Sequence, residues 1–202
     1  MEKSNIDEKI KLLTGSGMWH TREAEGLPSV HLSDGPHGLR KQEEKERQNN
    51  VSLVSTCYPT ASALACSWDV TAAERLGRAV AKEAWNADVS VLLGPGINMK
   101  RSPLCGRNFE YFSEDPFLAG RLGAAYVSAA QGDKGAVSLK HFAANNQETN
   151  RQTANSQIDE RALREIYLSA FEYVVKTARP ATVMASYNRL NGYYACENRH
   201  LL

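Results

Sequence analysis

Ala136-Val137-Ser138-Leu139 is a short, nearly wholly apolar run that breaks directly into Lys140-His141-Phe142. A run this brief and this apolar suits a strand covered on both faces. The same construction recurs along the chain. Val30-His31-Leu32 ends in Ser33-Asp34-Gly35, and Ala61–Cys66 ends in Ser67-Trp68-Asp69. Val89–Leu93 ends in Gly94-Pro95-Gly96, and Ala181–Ala185 ends in Ser186-Tyr187-Asn188. Helical signals fall between these runs. Thr71-x-x-Glu74 has the form of a capping box ahead of Ala73, Leu76, Val80 and Ala84. Asp115-Pro116 supplies a cap and a first-turn proline before Leu118, Leu122, Ala125 and Ala129, with Gly132 as the stop. Asp159 opens a pattern carrying Leu163, Ile166, Tyr167, Ala170 and Val174, and residues 4–14 set Ile6, Ile10 and Leu13 on one face before Gly15.

Strands alternating with helices predict a parallel α/β architecture. An open doubly wound sheet would gather its polar residues at one crevice. Here five strand endings carry them, which is the pattern of a (β/α)8 barrel of the TIM type with its ligand face at the carboxyl ends of the strands. A complete barrel takes about 250 residues. The 202 residues therefore predict a single barrel domain over 1–202, truncated after about five to six of its β/α units. An unclosed barrel would leave an unpaired strand edge, so residues 1–202 alone are expected to be poorly soluble or partner-dependent.

Composition narrows the function. Twenty-four basic residues oppose 23 acidic ones, a formal net charge of +1, which gives no electrostatic case for nucleic acid or an anionic membrane as partner. Mean hydropathy is −0.46 and no long apolar run is present, so no membrane span is expected. The polar start Met1-Glu2-Lys3-Ser4-Asn5 shows no secretory signal, and the expected location is cytoplasmic. Cys57, Cys66, Cys105 and Cys196 form no Cys-x-x-Cys pair and read as scattered thiols. Residues 41–50, rich in charges of alternating sign, read as a solvated loop. Gly94-Pro95-Gly96 lacks the third glycine and following helix of a nucleotide fingerprint, and the five histidines lack metal-binding spacing. Neither cofactor nor metal is expected; the oligomeric state is left open.

Several residues admit two readings. Lys140 and His141 are adjacent, so a regular strand aims only one of them at a ligand; the other possibility is an exposed loop. Asp34 precedes a glycine and suits a turn as well as a site. Arg107 is equally compatible with a surface ion pair, and Trp68 with a core position. Taken together, carboxylate, guanidinium, ammonium and imidazole groups beside Trp68 and Tyr187 suit a polyhydroxyl ligand.

Ser33-Asp34-Gly35-Pro36-His37-Gly38-Leu39-Arg40 resembles the first-strand signature of glycoside hydrolase family 3, β-glucosidase type. Pro59-Thr60, Ser67-Trp68-Asp69 and Gly94–Asn98 follow in that family's order. So do Arg101–Glu110, Phe112–Pro116, Lys140–Phe142, Asn145–Glu148 and Met184–Asn188, covering essentially the whole chain. Ala143-Ala144-Asn145-Asn146 is similar to the β-glucosidase branch rather than the N-acetylglucosaminidase branch. The resemblance implies that Asp34 accepts bonds from hydroxyls of a terminal, non-reducing sugar, and that Arg107, Lys140 and His141 hold neighbouring hydroxyls. It implies that Arg151 and Tyr187 lie beside the nucleophile. Peptide bonds around Lys-His-Phe are often cis in that family, which would let Lys140 and His141 both face the sugar.

Retaining hydrolysis uses two carboxyl groups roughly 5–5.5 Å apart. In that family the nucleophile is the aspartate of a Ser-Asp-Trp motif on the following strand, and the acid/base comes from a later domain. This sequence contains no Ser-Asp-Trp. The resemblance thus places both groups beyond residue 202 and leaves Asp34 a binding role. The expected activity is release of terminal β-D-glucosyl residues from a β-glucoside or oligosaccharide by the full enzyme, with this part alone inactive. The alternative is a non-catalytic carbohydrate-binding chain or an inactive truncated product.

Overall fold

The computed structural model describes residues 6–24, 26–42, 51–132 and 135–202. The polar start at 1–5 and positions 43–50 of the charged stretch lie outside the described residues. In chain order the elements are α1 (Ile6–Lys11), β1 (Leu32–Asp34), α2 (Ala61–Ala65), α3 (Val70–Asn86), β2 (Val91–Leu93), α4 (Pro116–Gln131) and β3 (Ala136–Phe142). Then come β4 (Asn155–Ser156), α5 (Glu160–Ala162), α6 (Ser169–Ala178), β5 (Thr182–Ala185), β6 (Arg189–Leu190) and β7 (Tyr193–Tyr194).

Strands β1, β2, β3 and β5 form one parallel sheet in that order, with Leu32 opposite Val91, Val91 opposite Ala136 and Ser138 opposite Thr182. Strand order follows chain order, without the reversal of a doubly wound sheet. Among the described residues the sheet stays open, with β1 and β5 as its edges. It has four strands rather than the five expected, because Ala61–Ala65 is a helix. Thr60 caps it by accepting the Ala63 N–H at 3.2 Å, and alanine and leucine favour that state. A five-residue apolar run fits either element by pattern alone. Trp68, beyond that helix, is 73% exposed, so it is not a core residue.

The core forms where α3, α4 and α6 cover the sheet. Ala73, Leu76, Val80 and Ala84 of α3 meet Leu122 and Val127 of α4, Phe171 and Val174 of α6, and Leu92, Val137 and Leu139 of the strands. Asp69, not Thr71, caps α3, taking the Thr71 N–H at 2.8 Å. Asp115 caps α4 through the amides of Phe117 and Leu118, as the Asp-Pro signal predicts. A Cβ on Gly77 would stand 2.5 Å from the Tyr126 carbonyl oxygen, so only glycine permits this approach of α3 to α4.

Two expected helices differ. The one opened by Asp159 is interrupted by a π turn over Leu163–Tyr167, where the Leu168 N–H bonds the Leu163 carbonyl at 2.9 Å. Its apolar stripe survives the interruption, with Leu163, Ala170 and Val174 buried. The N-terminal one, α1, is six residues long and buries nothing; Ile6, Ile10 and Leu13 are all exposed. An apolar stripe creates no partner for itself, and none of the described residues covers this one.

A second, small sheet pairs β4 with β6 in parallel and β6 with β7 in a hairpin turned by Asn191-Gly192, both at positive φ.

Candidate functional site

The site is built at the carboxyl ends of the large sheet. Asp34 ends β1, and Lys140 and His141 lie near the carboxyl end of β3. Between β2 and α4 the chain folds under them. Gly96 bridges to both Tyr111 and Lys140, the Lys140 N–H donates to the Pro95 carbonyl at 3.1 Å, and the Ile97 N–H donates to the Lys140 carbonyl at 2.9 Å. Glycine is required there, since a Cβ on Gly96 would lie 2.9 Å from two carbons of the Tyr111 ring. Asn98 then clamps the His141 backbone, accepting its N–H at 2.8 Å and donating to its carbonyl at 2.9 Å. The peptides Gly94–Pro95, Lys140–His141 and Phe142–Ala143 are cis. Lys140 and His141 are 2% and 1% exposed, so the surface-loop reading of this pair is excluded.

The small sheet supplies the other side. Asn155 pairs with Arg189 in parallel register, and the Arg189 N–H donates to the Ala154 carbonyl at 2.8 Å. Arg151 and Tyr187 precede these two strands, so the parallel pairing brings them to the same end. The Arg151 guanidinium carbon stands 4.8 Å from the Tyr187 ring centroid, a cation–π contact. Tyr187 in turn lies 6.4 Å from the His141 ring.

All six sequence-predicted residues thus join one network. The Lys140 ammonium is 3.6 Å from Asp34 Oδ1 and 3.3 Å from Glu110 Oε2. Glu110 also hydrogen-bonds Arg107 Nε. Glu148 lies 3.9 Å from Arg107 Nε and accepts from Arg151 Nη1 at 2.9 Å. Three formal cations, Arg107, Lys140 and Arg151, therefore face three formal anions, Asp34, Glu110 and Glu148. Burial opposes the charge on Arg107, but the hydrogen bond and charge of Glu110 outweigh it and hold the guanidinium above its ordinary value. Arg107 is a clamped member of the site, not a solvated surface pair.

His141 behaves oppositely. Burial first, then the charges of Arg107, Lys140 and Arg151, push its pKa far down, so it is a neutral imidazole. Its Nδ1 lies 2.9 Å from the Tyr111 hydroxyl. Burial raises the Tyr111 phenol well above its ordinary value and keeps its proton in place. The arrangement offers one acidic acceptor, several fixed cationic donors, a neutral imidazole and an aromatic face. Beyond Glu148 a cavity of about 680 Å³ opens, lined by Arg101, Gly106, Asn146, Glu148, Gln157 and Tyr167 among others.

Residues 36–202 match the model of the glycosyl hydrolase family 3 N terminal domain. The chain belongs to glycosyl hydrolase family 3. Among family 3 relatives, thermostable beta-glucosidase B of Acetivibrio thermocellus is 52% identical over 206 residues, covering 100% of this chain and 27% of the relative. An exo-alpha-(1->6)-L-arabinopyranosidase of Bifidobacterium longum is 47% identical, over 98% of this chain and 27% of its own length. The crystal structure of a beta-glucosidase from Kluyveromyces marxianus in complex with glucose superposes with a TM-score of 0.92 at 42% identity, covering 98% of this chain and 24% of that one. This family 3 chain spans about a quarter of the length of these relatives.

Five site residues escape the sequence reading: Asn98, Glu110, Tyr111, Asn145 and Glu148. For Glu110, Asn145 and Glu148 the signal is spacing; Asn98 and Tyr111 meet His141 from 43 and 30 residues away and carry no local signal. Arg107 and Glu110, Glu148 and Arg151, and Asn145 and Glu148 each stand three apart, the distance at which side chains on one turn meet.

Proposed function

We propose that residues 1–202 are the N-terminal barrel segment of a β-glucosidase-type family 3 enzyme and hold the terminal, non-reducing sugar of its substrate. The observation that carries this reading is the convergence of Asp34, Arg107, Lys140, His141, Arg151 and Tyr187 on one ion-paired cluster at the carboxyl ends of parallel strands. In a (β/α)8 barrel that face is where ligands bind, and a strand order that follows chain order is what a singly wound barrel requires. Asp34, 30% exposed at its side chain, accepts bonds from sugar hydroxyls. Lys140 and Arg107 donate to neighbouring oxygens, pre-aligned by Glu110 so that little ordering remains on binding. Arg151 and Tyr187 flank the anomeric centre.

The nucleophile and the acid/base of the retaining reaction belong to other parts of the full enzyme, with the two carboxyl groups roughly 5–5.5 Å apart across the scissile bond. Every carboxylate in the network already has a cationic partner, which fits binding rather than attack. The exo-alpha-(1->6)-L-arabinopyranosidase of Bifidobacterium longum supports a second substrate reading, an α-L-arabinopyranoside, whose ring lacks the hydroxymethyl group of glucose.

Rates of the full-length enzyme on aryl β-D-glucoside, α-L-arabinopyranoside and N-acetyl-β-D-glucosaminide test the reading, with the glucoside expected to be fastest. Preference for the N-acetylglucosaminide overturns the branch assignment. The 202-residue chain alone is expected not to hydrolyse aryl glucosides, and turnover by it would place the catalytic carboxyls on this chain.

A further inference from the structure

The hydrogen bonds around His141 determine which of its nitrogens carries the proton. Glu148 Oε1 can only accept, and Asn145 Nδ2 lies 3.0 Å from it, which fixes the orientation of the amide. The same Nδ2 lies 3.1 Å from the Tyr111 hydroxyl and donates its second hydrogen there. The Tyr111 oxygen is thereby an acceptor toward Asn145. Among the described residues its own proton has one hydrogen-bond acceptor, His141 Nδ1 at 2.9 Å. Tyr111 is fully buried and keeps its phenol proton, so that bond is neither replaced by water nor reversed by ionisation. Nδ1 therefore accepts, and the single proton of the neutral ring sits on Nε2. Among the described residues no group hydrogen-bonds Nε2.

We infer that Asn145, oriented by Glu148, donates to Tyr111 and Tyr111 donates to His141 Nδ1, a relay that holds His141 as the Nε2–H tautomer and presents a neutral donor to the ligand. Tyr111 and Asn145 are positioning residues in this scheme: they act through His141 and touch no sugar. The consequence is a division of labour. Asp34 accepts from the sugar, while His141, Lys140 and Arg107 donate to it. Selectivity follows from that pattern, because an imidazole locked as donor pairs with a hydroxyl oxygen and leaves an amide N–H or ammonium substituent at that position without an acceptor. The ligand part of the inference rests on the sugar-binding reading; the tautomer does not.

The test uses the full-length enzyme with 15N-labelled histidine, because residues 1–202 alone leave an open sheet edge. Long-range 15N–1H correlation spectra at neutral pH separate protonated from unprotonated ring nitrogens, and a His141→Gln variant assigns the signals. The expected result is an unprotonated Nδ1 and a protonated Nε2 for His141, with Nε2 shifting on addition of glucose. Tyr111→Phe removes the donor to Nδ1, and the single tautomer should give way to a mixture while glucose affinity falls about three- to tenfold. A wild-type spectrum with the proton on Nδ1 overturns the relay, whatever the variant's ability to fold. A protonated Nε2 in a chain that ignores glucose supports the relay and instead removes the sugar-binding reading.

Discussion

The Glu110 carboxylate lies 3.3 Å from the Lys140 ammonium, and both side chains are sealed from solvent to 2% exposure. Neither charge reaches water, so each depends on the other for solvation. Removing one partner of such a pair typically costs about 3–5 kcal/mol. Glu110→Ala is expected to lose most of that range, because Lys140 keeps only Asp34 and Arg107 keeps only the more distant Glu148. Urea denaturation of variant and parent measures the loss. Replacing Lys140 by Met in the Glu110→Gln background should recover stability, and no recovery would show that the pair is not the source of the cost.

Asp34 is expected to separate affinity from stability. Glu110 continues to hold Lys140 when Asp34 is neutralised, so Asp34→Asn should cost under about 1 kcal/mol of folding stability. Bonds from a sugar to a charged acceptor are worth about 1.5–3 kcal/mol, so glucose affinity should fall at least tenfold. Titration calorimetry and denaturation on the same sample read both quantities, and an unfolded Asp34→Asn chain would assign the residue to the scaffold.

Stability should fall on acidification through His141. Its folded pKa lies far below the 6.5 of the unfolded chain. Above pH 6.5 both states are neutral and the group contributes no slope. Below it the unfolded chain takes a proton that the folded one refuses, so stability drops by about 1.4 kcal/mol per pH unit from this group. Between pH 6.5 and 5, parent minus His141→Gln should show that slope in denaturation free energy. A flat difference would contradict a neutral buried imidazole.

Gly96→Ala should disturb the site without touching a charged side chain. The added methyl meets the Tyr111 ring at 2.9 Å and the Glu110 carbonyl oxygen at 3.1 Å, and both are buried in fixed positions. Overpacking of this kind costs about 1–3 kcal/mol. Thermal melting should register it, and Tyr111→Leu in the same chain should relieve part of it.

The open edge of the large sheet carries its own expectation. Thr182 and Val183 of β5 are exposed, and a cavity of about 250 Å³ beside them is lined by Phe142, Phe171, Val175, Val183, Ala185, Leu201 and Leu202. An apolar strand edge invites association. The 202-residue chain should bind a hydrophobic dye and self-associate with rising concentration, and Val183→Lys should reduce both. Light scattering that stays monomeric at all concentrations would count against this.

Asp34, Lys140 and His141 were legible in the sequence because each follows a short apolar run directly, so the strand itself carries it to the ligand face. Tyr187 is legible in the same way, just beyond the run that ends at Ala185, and Arg107 as a charged loop residue open to two readings; only Arg151 comes through the family resemblance alone. Glu110 and Tyr111 were not reached at all. The loop from β2 to α4 has no periodicity, and its path depends on contacts with Gly96 and Lys140 that are distant in sequence. The misread of Ala61–Ala65 has the opposite cause: the run was too short for its pattern to separate helix from strand, and the deciding signal was one hydroxyl, that of Thr60.

The three-against-three matching of charges around Lys140 bears on how a ligand arrives. A cluster whose formal charges cancel projects little field beyond a Debye length of about 8 Å at physiological salt. Encounter with a neutral sugar is then governed by diffusion and fit alone, and association rates should be nearly indifferent to ionic strength. A phosphorylated or carboxylated sugar would gain no long-range attraction to offset the water it must shed at the cluster.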